Sequence, residues 1–540
     1  MNINTAMGAT VLVCSFLVAA ALLWTTGDGA GGLMVWPPEF KKRCGLCVDV
    51  HFVAAKLGGV KASCSGFFEA RGDSRKACAD AFASSFSSLL QRSKNVDHGD
   101  AAAACALVGF CERKSAGGFS AAAPSSLPDV RVAKGFGTKP YDQVRVSVIS
   151  QSAAAPSTAN GFEFDYSAPF KYRWTNNTIS SSMVSVENGR RELTIGGAKL
   201  TISVPSQGQG VAGVFIADPC ISSSSITGLV GCWFGKKFQT EERIPALLNM
   251  FAGDGNSSFW GVLGDNWYDR TGEATKAVFE KIDMGVKSKI FLTVAGNHDY
   301  WIVSPTVSTT ADQYGNGHFQ WYAQDSKAAE NLLPGATHQA PFNYSIDPSK
   351  GHSLFGGNLP AIENGFYYNQ IGNLGFIGFS GAYTYAETLP LLTEACAWAG
   401  NTGDSMKALI LVGHWDTENM GAQDKMDVPT LYDSIKTLPG CDAFEAKKTL
   451  KFLMGHTHCN VPHPHGHNNT GFMIAGQGME GCGNFGVPVL DSTENRLRLY
   501  YFPIVAKDGT DTYDAVSSCV TSKGWRACLS LAETWLDQTI

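Results

Sequence analysis

Five short apolar segments of this chain each end in residues that can ligate a metal ion. Each has the length of a buried strand and is rich in Val, Ile, Leu and Phe. They are residues 211–218, 259–268, 290–298, 409–414 and 450–458. Open α/β sheets build their sites just past the carboxyl ends of strands. Carboxylate, amide, phenol and imidazole groups at such ends suit two hard-to-borderline metal ions.

The chemistry that such a set could perform is hydrolysis at phosphorus. Two metal ions about 3.5–4 Å apart share a carboxylate and lower the pKa of the water between them. Such a site needs a bridging carboxylate, terminal ligands for each metal and a proton donor for the leaving group. The five segments contain candidates for every role: Asp218, Asp265, Tyr268, Asn297, His298, His414, His456 and His458.

The ordered blocks D, GDNWY, GNHD, VGHW and GHTH resemble the calcineurin-like metallophosphoesterase superfamily. They resemble purple acid phosphatases of the tartrate-resistant type more closely. The resemblance implies an α/β fold, a four-layer α/β/β/α sandwich. It also implies a phosphatase that hydrolyses phosphomonoesters by metal-activated hydroxide attack.

The resemblance assigns Asp218, Tyr268 and His458 to the first metal, and Asp265 to the bridge between the two metals. Tyr268 separates this chain from most of the superfamily, because a phenolate is a hard anionic ligand that stabilises a trivalent ion. The resemblance therefore implies Fe(III) in the first site. The alternative is that Tyr268 packs or hydrogen-bonds beside a site that uses other ligands.

The second metal would be held by Asn297, His414 and His456, and the resemblance implies Fe(II), Zn(II) or Mn(II) there. His298 would stabilise the phosphoryl group and protonate the leaving oxygen. Asp299, the next residue, would orient His298.

The first block departs from the family pattern, which usually shows D-x-G or D-x-H. This chain has Asp218, Pro219 and Cys220 instead. A Cys at this position raises the question of a thiolate ligand. We expect a disulfide between Cys220 and Cys232, because Cys232 is the nearest partner in the sequence.

The chain divides by composition and pattern into six parts. They are a signal peptide or signal anchor (1–30), a helical domain (40–113), a linker (115–135), a β-rich segment (136–206), a catalytic domain (207–505) and a tail (506–540). The β-rich segment is either a small β domain or, as we favour, an extra layer on the catalytic sheet. In the tail, Cys519 and Cys528 are placed to pair locally, and an amphipathic helix is expected at the end.

Residues 40–113 hold six cysteines between helix-like segments, a pattern that resembles the saposin-B type module. The family's nested pairing implies Cys44–Cys111, Cys47–Cys105 and Cys64–Cys78. The resemblance and an excess of Lys and Arg over Asp and Glu favour contact with lipid or a membrane surface. The alternative is a disulfide-stapled cap that only packs on the next domain.

Composition and targeting signals predict the secretory pathway. Residues 7–24 are apolar and uncharged, and they are either a cleaved signal peptide or a membrane anchor. The protein would then be secreted or lumenal. Of 15 cysteines, the 14 beyond Cys14 form an even set, as expected in an oxidising compartment. Sequons at Asn176, Asn256, Asn343 and Asn468 are compatible with glycosylation.

Two other functions compete with the phosphomonoesterase. A saposin-like module before a metallophosphoesterase domain also resembles acid sphingomyelinase, a lipid phosphodiesterase, although Tyr268 argues against that relation. The third possibility is a non-catalytic lipid- or surface-binding protein, against which stands the presence of every expected ligand. The net charge of −6 gives no indication of nucleic-acid binding.

Overall fold

The computed structural model describes residues 129–150, 155–159, 161–169, 178–219, 221, 238–268, 273–299, 322, 324–330, 361–416, 422–465, 467–473 and 484–540. All of them belong to one compact unit of the chain. The predictions for residues 1–30, for the helical domain 40–113 and its three disulfides, and for the Cys220–Cys232 pair lie outside these residues. Within the described part, no helix is long and apolar enough to cross a membrane.

Ten strands of the described chain form one mixed sheet. They are β1 (Asp129–Lys134), β2 (Gln143–Ser150), β4 (Tyr166–Pro169), β5 (Thr178–Ser185), β8 (Ala212–Ile216), β9 (Phe259–Leu263), β10 (Ile290–Val294), β17 (Phe485–Ser492), β18 (Arg496–Val505) and β19 (Glu533–Thr539). Their order is β19-β18-β17-β8-β9-β10-β1-β2-β5-β4. The central strands β8, β9, β10 and β1 run parallel, so their carboxyl ends share one edge.

A second sheet contains six of the described strands. They are β11 (Tyr367–Ile371), β12 (Leu374–Gly378), β13 (Ala408–Val412), β14 (Leu450–Met454), β15 (Val461–His465) and β16 (His467–Met473). The order is β11-β12-β13-β14-β16-β15, and β12, β13, β14 and β16 run parallel. The parallel strands β13 and β14 are buried along their whole length, which explains why all their residues except Lys451 are apolar.

A small third sheet covers part of the first. It consists of β3 (Thr158–Ala159), β6 (Arg190–Ile195) and β7 (Ala198–Ser203). Leu193 and Ile202 of this sheet pack in one cluster with Val132 and Val146 of β1 and β2. The β-rich segment is therefore partly an extension of the large sheet and partly a layer on its face.

The helices of the described chain lie on the outer faces of the two large sheets. The α-helices are α1 (Thr240–Phe251), α2 (Glu273–Lys281), α3 (Met284–Lys287), α4 (Tyr385–Asn401), α5 (Val428–Ile435), α6 (Cys441–Ala446) and α7 (Tyr513–Lys523). Short 3₁₀ segments span Glu187–Gly189, Asn266–Tyr268, Asn297–Asp299, Lys327–Ala329, Ile362–Asn364, Gly403–Ser405 and Trp525–Leu531. Helix α4 begins with a capping box between Thr384 and Glu387.

The two large sheets pack face to face. Phe215 of β8 and Phe259 of β9 contact Phe376 of β12, with ring centroids 6.2 and 5.3 Å apart. On the opposite face of the first sheet, the helices α1, α2 and α7 pack in one cluster with Trp260 and the apolar residues around it. Helices α4, α5 and α6 pack with the second sheet. The predicted mixed α/β class with large sheets is confirmed.

The structure corrects the predicted linker. Residues 129–134 lie inside the range 115–135 but form β1, which pairs with β2 and β10. Val130 and Val132 are fully buried there. The Ser-, Ala- and Pro-rich stretch before this strand concealed its short apolar alternation.

The structure also corrects the end of the tail. The chain ends in β19 instead of an amphipathic helix, and this strand pairs with β18 at the edge of the first sheet. Trp535 stacks on Tyr501, with ring centroids 4.4 Å apart, so tertiary packing overrides the helical pattern. Cys519 and Cys528 form a disulfide, as predicted. A second disulfide, Cys396–Cys441, joins α4 to α6 and was not predicted.

Candidate metal centre

All five apolar segments form strands, and their polar residues meet at one place. Asp218 and Asp265 lie two residues beyond β8 and β9, and Asn297 lies three residues beyond β10. His414 and His456 lie two residues beyond β13 and β14 of the second sheet. Because both sheets direct these carboxyl ends toward the same edge, side chains from distant parts of the chain come into contact.

Asp218, Asp265 and His414 form the core of the cluster. One ligand atom of each lies within 4.8 Å of those of the other two, a spacing that can hold a metal ion. His414 Nε2 is 3.2 Å from Asp265 Oδ1 and 3.8 Å from Asp218 Oδ1. All three side chains are almost completely buried.

Asn297, His414 and His456, the second donor set, bring three donor atoms together. Asn297 Oδ1 is 3.1 Å from His414 Nε2 and 3.1 Å from His456 Nδ1, and the two imidazole nitrogens are 3.2 Å apart. These three residues are the ones predicted for the second metal. The three atoms form a nearly equilateral triangle, so all three could ligate one cation.

Asp218, Tyr268 and His458, the first donor set, form a similar triangle. Tyr268 Oη is 3.3 Å from Asp218 Oδ1 and 3.0 Å from His458 Nε2, and His458 Nε2 is 3.3 Å from Asp218 Oδ1. These residues are the ones predicted for the first metal. Asp265 lies against the second donor set through His414. The roles of all seven residues as ligands stay predictions.

His298 lies at the edge of the cluster. Its backbone N–H donates to Asp265 Oδ1 at 2.8 Å, and its Nε2 is 3.8 Å from Asp265 Oδ2. Its ring centroid is 4.5 Å from that of Tyr268. His298 therefore lies beside Asp265 and Tyr268, and its role in proton transfer stays a prediction.

Asp299 ties two of the motif loops together. Its carboxylate accepts hydrogen bonds from Gly296 N at 2.7 Å, Asn266 N at 3.1 Å and Asn266 Nδ2 at 2.9 Å. Thr293 Oγ1 in turn donates to Asn266 Oδ1 at 2.8 Å. This Asp299–Asn266 bridge fixes Asp265 relative to Asn297, and no sequence pattern predicted the part that Asn266 plays.

The backbone of the motif loops is unusual. Of the ten non-glycine residues with positive φ in the described chain, six belong to these loops: Asp218, Asp265, Trp267, Tyr268, His456 and His458. Left-handed backbone is unfavourable for such residues and concentrates at functional sites. The surrounding packing must hold these loops in place.

Glycines before the ligands allow the close approach. A Cβ added to Gly296 would lie 2.2 Å from Asp265 Oδ1, and one added to Gly264 would lie 2.4 Å from His414 Nδ1. Gly455 has Asp218 Oδ2 at 2.8 Å from its hypothetical Cβ. The glycine that begins each of these motifs is therefore required sterically.

The electrostatics of the metal-free protein reflect the two buried carboxylates. Burial disfavours a charged imidazole, but Asp265 and Asp218 outweigh it and raise the pKa of His414 to about 10. Burial opposes ionisation of Asp265, yet His414 and His298 hold its pKa well below the usual range. Burial, with Asp265 and Asp218, raises the pKa of Tyr268 well above its usual value.

The donor chemistry fits metal ions. Two buried carboxylates, an amide, a phenol and three imidazoles converge, and buried anions require compensating positive charge. Without metals, protonated His414 supplies part of that charge. A cation bound between the donors would neutralise the carboxylates and stabilise the phenolate form of Tyr268.

Comparisons with known proteins give distant structural similarity. No family model and no curated protein match the chain. A purple acid phosphatase from yellow lupin (Lupinus luteus) seeds is 14% identical, with a TM-score of 0.43 over 71% of this chain and 72% of that chain. A dimetal phosphatase from Danio rerio is 8% identical, with a TM-score of 0.28 over 54% and 95%. Vacuolar protein sorting 29 from Cryptosporidium parvum is 11% identical, with a TM-score of 0.22 over 56% and 94%. These values assign the chain to no family, so its chemistry must be inferred from its own side chains.

Proposed function

We propose that this chain is a dinuclear metal-dependent phosphatase that hydrolyses phosphomonoesters. The observation that carries the proposal is the presence of two triangles of donor atoms in one buried cluster, with Asp265 against His414 of the second triangle. Each triangle has the mixed oxygen and nitrogen composition of a transition-metal site. We assign the Asp265 carboxylate to the bridge between the two metals.

The donor sets favour different metals. Tyr268 gives the first donor set a phenol, whose deprotonated form favours Fe(III). The second donor set has two imidazoles and an amide, which suit Fe(II), Zn(II) or Mn(II). When bound, the two metal ions would activate a water nucleophile and neutralise the charge that develops on the phosphoryl oxygens.

The chain's own residues would perform the remaining work. Asp265, held by the His298 backbone N–H, fixes the spacing of the two donor sets. The His298 imidazole would donate a proton to the departing alkoxide oxygen. Burial of Asp218, Asp265 and His414 limits access of bulk water and strengthens every charge interaction in the centre.

Metal analysis with phosphate-release kinetics tests the proposal. We expect about two metal ions per chain and hydrolysis of both nitrophenyl phosphate and an alkyl phosphate. The His298→Ala variant should keep both metals and lose about 10²–10⁴-fold in turnover on the alkyl ester, whose leaving group requires a proton. It should lose much less on nitrophenyl phosphate. A metal-reconstituted wild-type protein that hydrolyses neither ester would refute the proposal.

The iron assignment has a separate test. Wild-type protein should show visible tyrosinate-to-iron absorption, and the Tyr268→Phe variant should lack it. The half-buried Tyr385 belongs to neither donor set, so Tyr385→Phe is the control and should keep the absorption. A colourless wild-type protein with full zinc occupancy would refute iron while leaving the phosphatase intact.

A further inference from the structure

We infer that Asp416 is a positioning residue for His456, and that it tunes the affinity of the second donor set for its metal. Asp416 Oδ1 lies 3.9 Å from His456 Nε2, and both side chains are buried. The inference rests on the proposed function. It adds a carboxylate that belongs to neither donor set.

The orientation of the His456 ring requires an acceptor behind it. Its Nδ1 faces Asn297 and His414, so its Nε2 points away from the centre, toward Asp416. A neutral imidazole that ligates through one nitrogen carries its proton on the other. Metal-ligating histidines donate that proton to a carboxylate or carbonyl, which fixes the tautomer and the ring plane.

His414 shows the same arrangement with a different acceptor. Its Nδ1 donates to the carbonyl oxygen of Leu263 at 2.8 Å, and its Nε2 faces the centre. The two imidazoles of the second donor set thus use opposite nitrogens and separate acceptors. Metal-free sites often show long contacts that tighten when the site is filled, so a small rotation of the His456 ring would close the 3.9 Å gap.

Asp416 is held in place by its surroundings. The adjacent Trp415 is completely buried, and its carbonyl oxygen accepts a hydrogen bond from Val428 N at 2.9 Å. The Trp415 ring contacts the His414 ring, with ring centroids 5.5 Å apart. Strand β13, which precedes His414, therefore also positions Asp416 beside the His456 ring, on the side that faces away from the centre.

His456 is the ligand that most requires such support. Its φ of 75° is the largest among the positive values of the non-glycine residues in the described chain. Its backbone N–H donates to Asp218 Oδ2 at 2.9 Å, which fixes the main chain but does not itself orient the ring. A carboxylate acceptor restricts that rotation and makes the imidazole a stronger electron donor.

The test compares metal affinities of Asp416→Ala, Asp416→Asn and the exposed control Asp424→Ala. Each metal's dissociation constant is measured by competition with a chelator, using Zn(II) for the second donor set. We expect Asp416→Ala to weaken the second metal by about 10–100-fold and to leave the first within about twofold. Asp416→Asn should fall between Asp416→Ala and wild type, because its amide oxygen still accepts a hydrogen bond. Asp424→Ala should match wild type.

The outcomes separate this inference from the proposed function. Wild-type protein that binds no metal overturns both. Wild-type protein that binds two metals, with an Asp416→Ala variant of unchanged second-metal affinity, overturns only the role of Asp416. Equal weakening of both metals, or an equivalent loss with Asp416→Asn and Asp416→Ala together with a lowered melting temperature of the metal-free protein, would assign Asp416 a merely structural role.

Discussion

The two large sheets contribute chemically different halves to the candidate centre. The ten-stranded sheet supplies the oxygen donors: Asp218, Asp265, Tyr268 and Asn297. The six-stranded sheet supplies the imidazoles: His414, His456 and His458. The negative charge thus comes from one sheet and the proton-binding groups from the other, so packing the sheets together assembles the site.

This division explains how the metal-free protein tolerates two buried carboxylates. His414 of one sheet is held protonated by Asp265 and Asp218 of the other, which raise its pKa to about 10. In the charged imidazole both nitrogens carry a proton, and the one on Nε2 faces Asn297 and Asp265. Protons and metals therefore compete for the same atoms at the boundary between the sheets.

The largest expected effect comes from removing charge on the oxygen side. Asp265→Asn keeps the shape of the side chain but removes the negative charge that, in the proposed function, both donor sets share. We expect turnover to fall by about 10³-fold, the upper range for a single preorganised electrostatic group. Steady-state kinetics with metal analysis measures it, and the exposed Asp404→Asn is the control. Turnover within tenfold of wild type would show that Asp265 is not the bridge.

The second-largest effect is expected from adding a methyl group where the loops of the two sheets meet. In Gly296→Ala, the added Cβ would meet Asp265 Oδ1 at 2.2 Å and must displace it. Since misplacing a reacting group by about 1 Å can cost about 10²-fold, we expect a loss of that order in turnover. Gly255→Ala is a matched control, because nothing lies within 4 Å of its Cβ. Equal activities of the two variants would contradict the steric role of Gly296.

The ligands that follow the strands could be predicted from the sequence, because their positions have local causes. Asp218, Asp265 and His414 follow strands whose apolar residues are contiguous, and a glycine directly precedes Asp265 and His414. A parallel strand buried on both faces is mostly apolar until it ends. The end of the apolar pattern therefore predicts the position of the ligand.

The remaining features depend on contacts between distant segments. Asp416 follows the VGHW block by one residue, yet its proximity to His456 depends on the order of β13 and β14 in the sheet. Asn266 meets Asp299 only because β9 and β10 are neighbours. The Cys396–Cys441 disulfide likewise depends on how α4 and α6 pack. Single-sequence patterns do not encode such pairings.

A smaller effect is expected from a substitution that affects only the loops of the ten-stranded sheet. Asp299→Asn weakens the bridge between the loops that hold Asp265 and Asn297, because an amide cannot accept all three hydrogen bonds that the carboxylate accepts. Leaving a buried donor unsatisfied costs about 1–3 kcal/mol. We expect a loss of that order in the free energy of unfolding of the metal-free protein, measured by urea denaturation. The surface variant Asp283→Asn is the comparison, and equal stability of the two would show that the bridge contributes nothing.

The smallest effect tests the competition between protons and metals. Because the pKa of His414 is raised from its ordinary 6.5 to about 10, its contribution to metal-free stability is fully present below pH 6.5 and is lost as pH rises through about 10. Metal binding must displace that proton, so affinity should rise with pH across the same window, by at most about tenfold per pH unit.

Calorimetric titration with Zn(II) in buffers of different ionisation enthalpy measures the proton released. About one proton per second-site metal is expected near pH 7.5. In Asp265→Asn, the main carboxylate that raises the pKa of His414 is absent, so the pH dependence should end at a lower pH. Metal binding that releases no proton and does not vary with pH would mean that His414 is neutral in the metal-free protein. The negative charges of Asp218 and Asp265 would then not be balanced by the imidazoles of the six-stranded sheet.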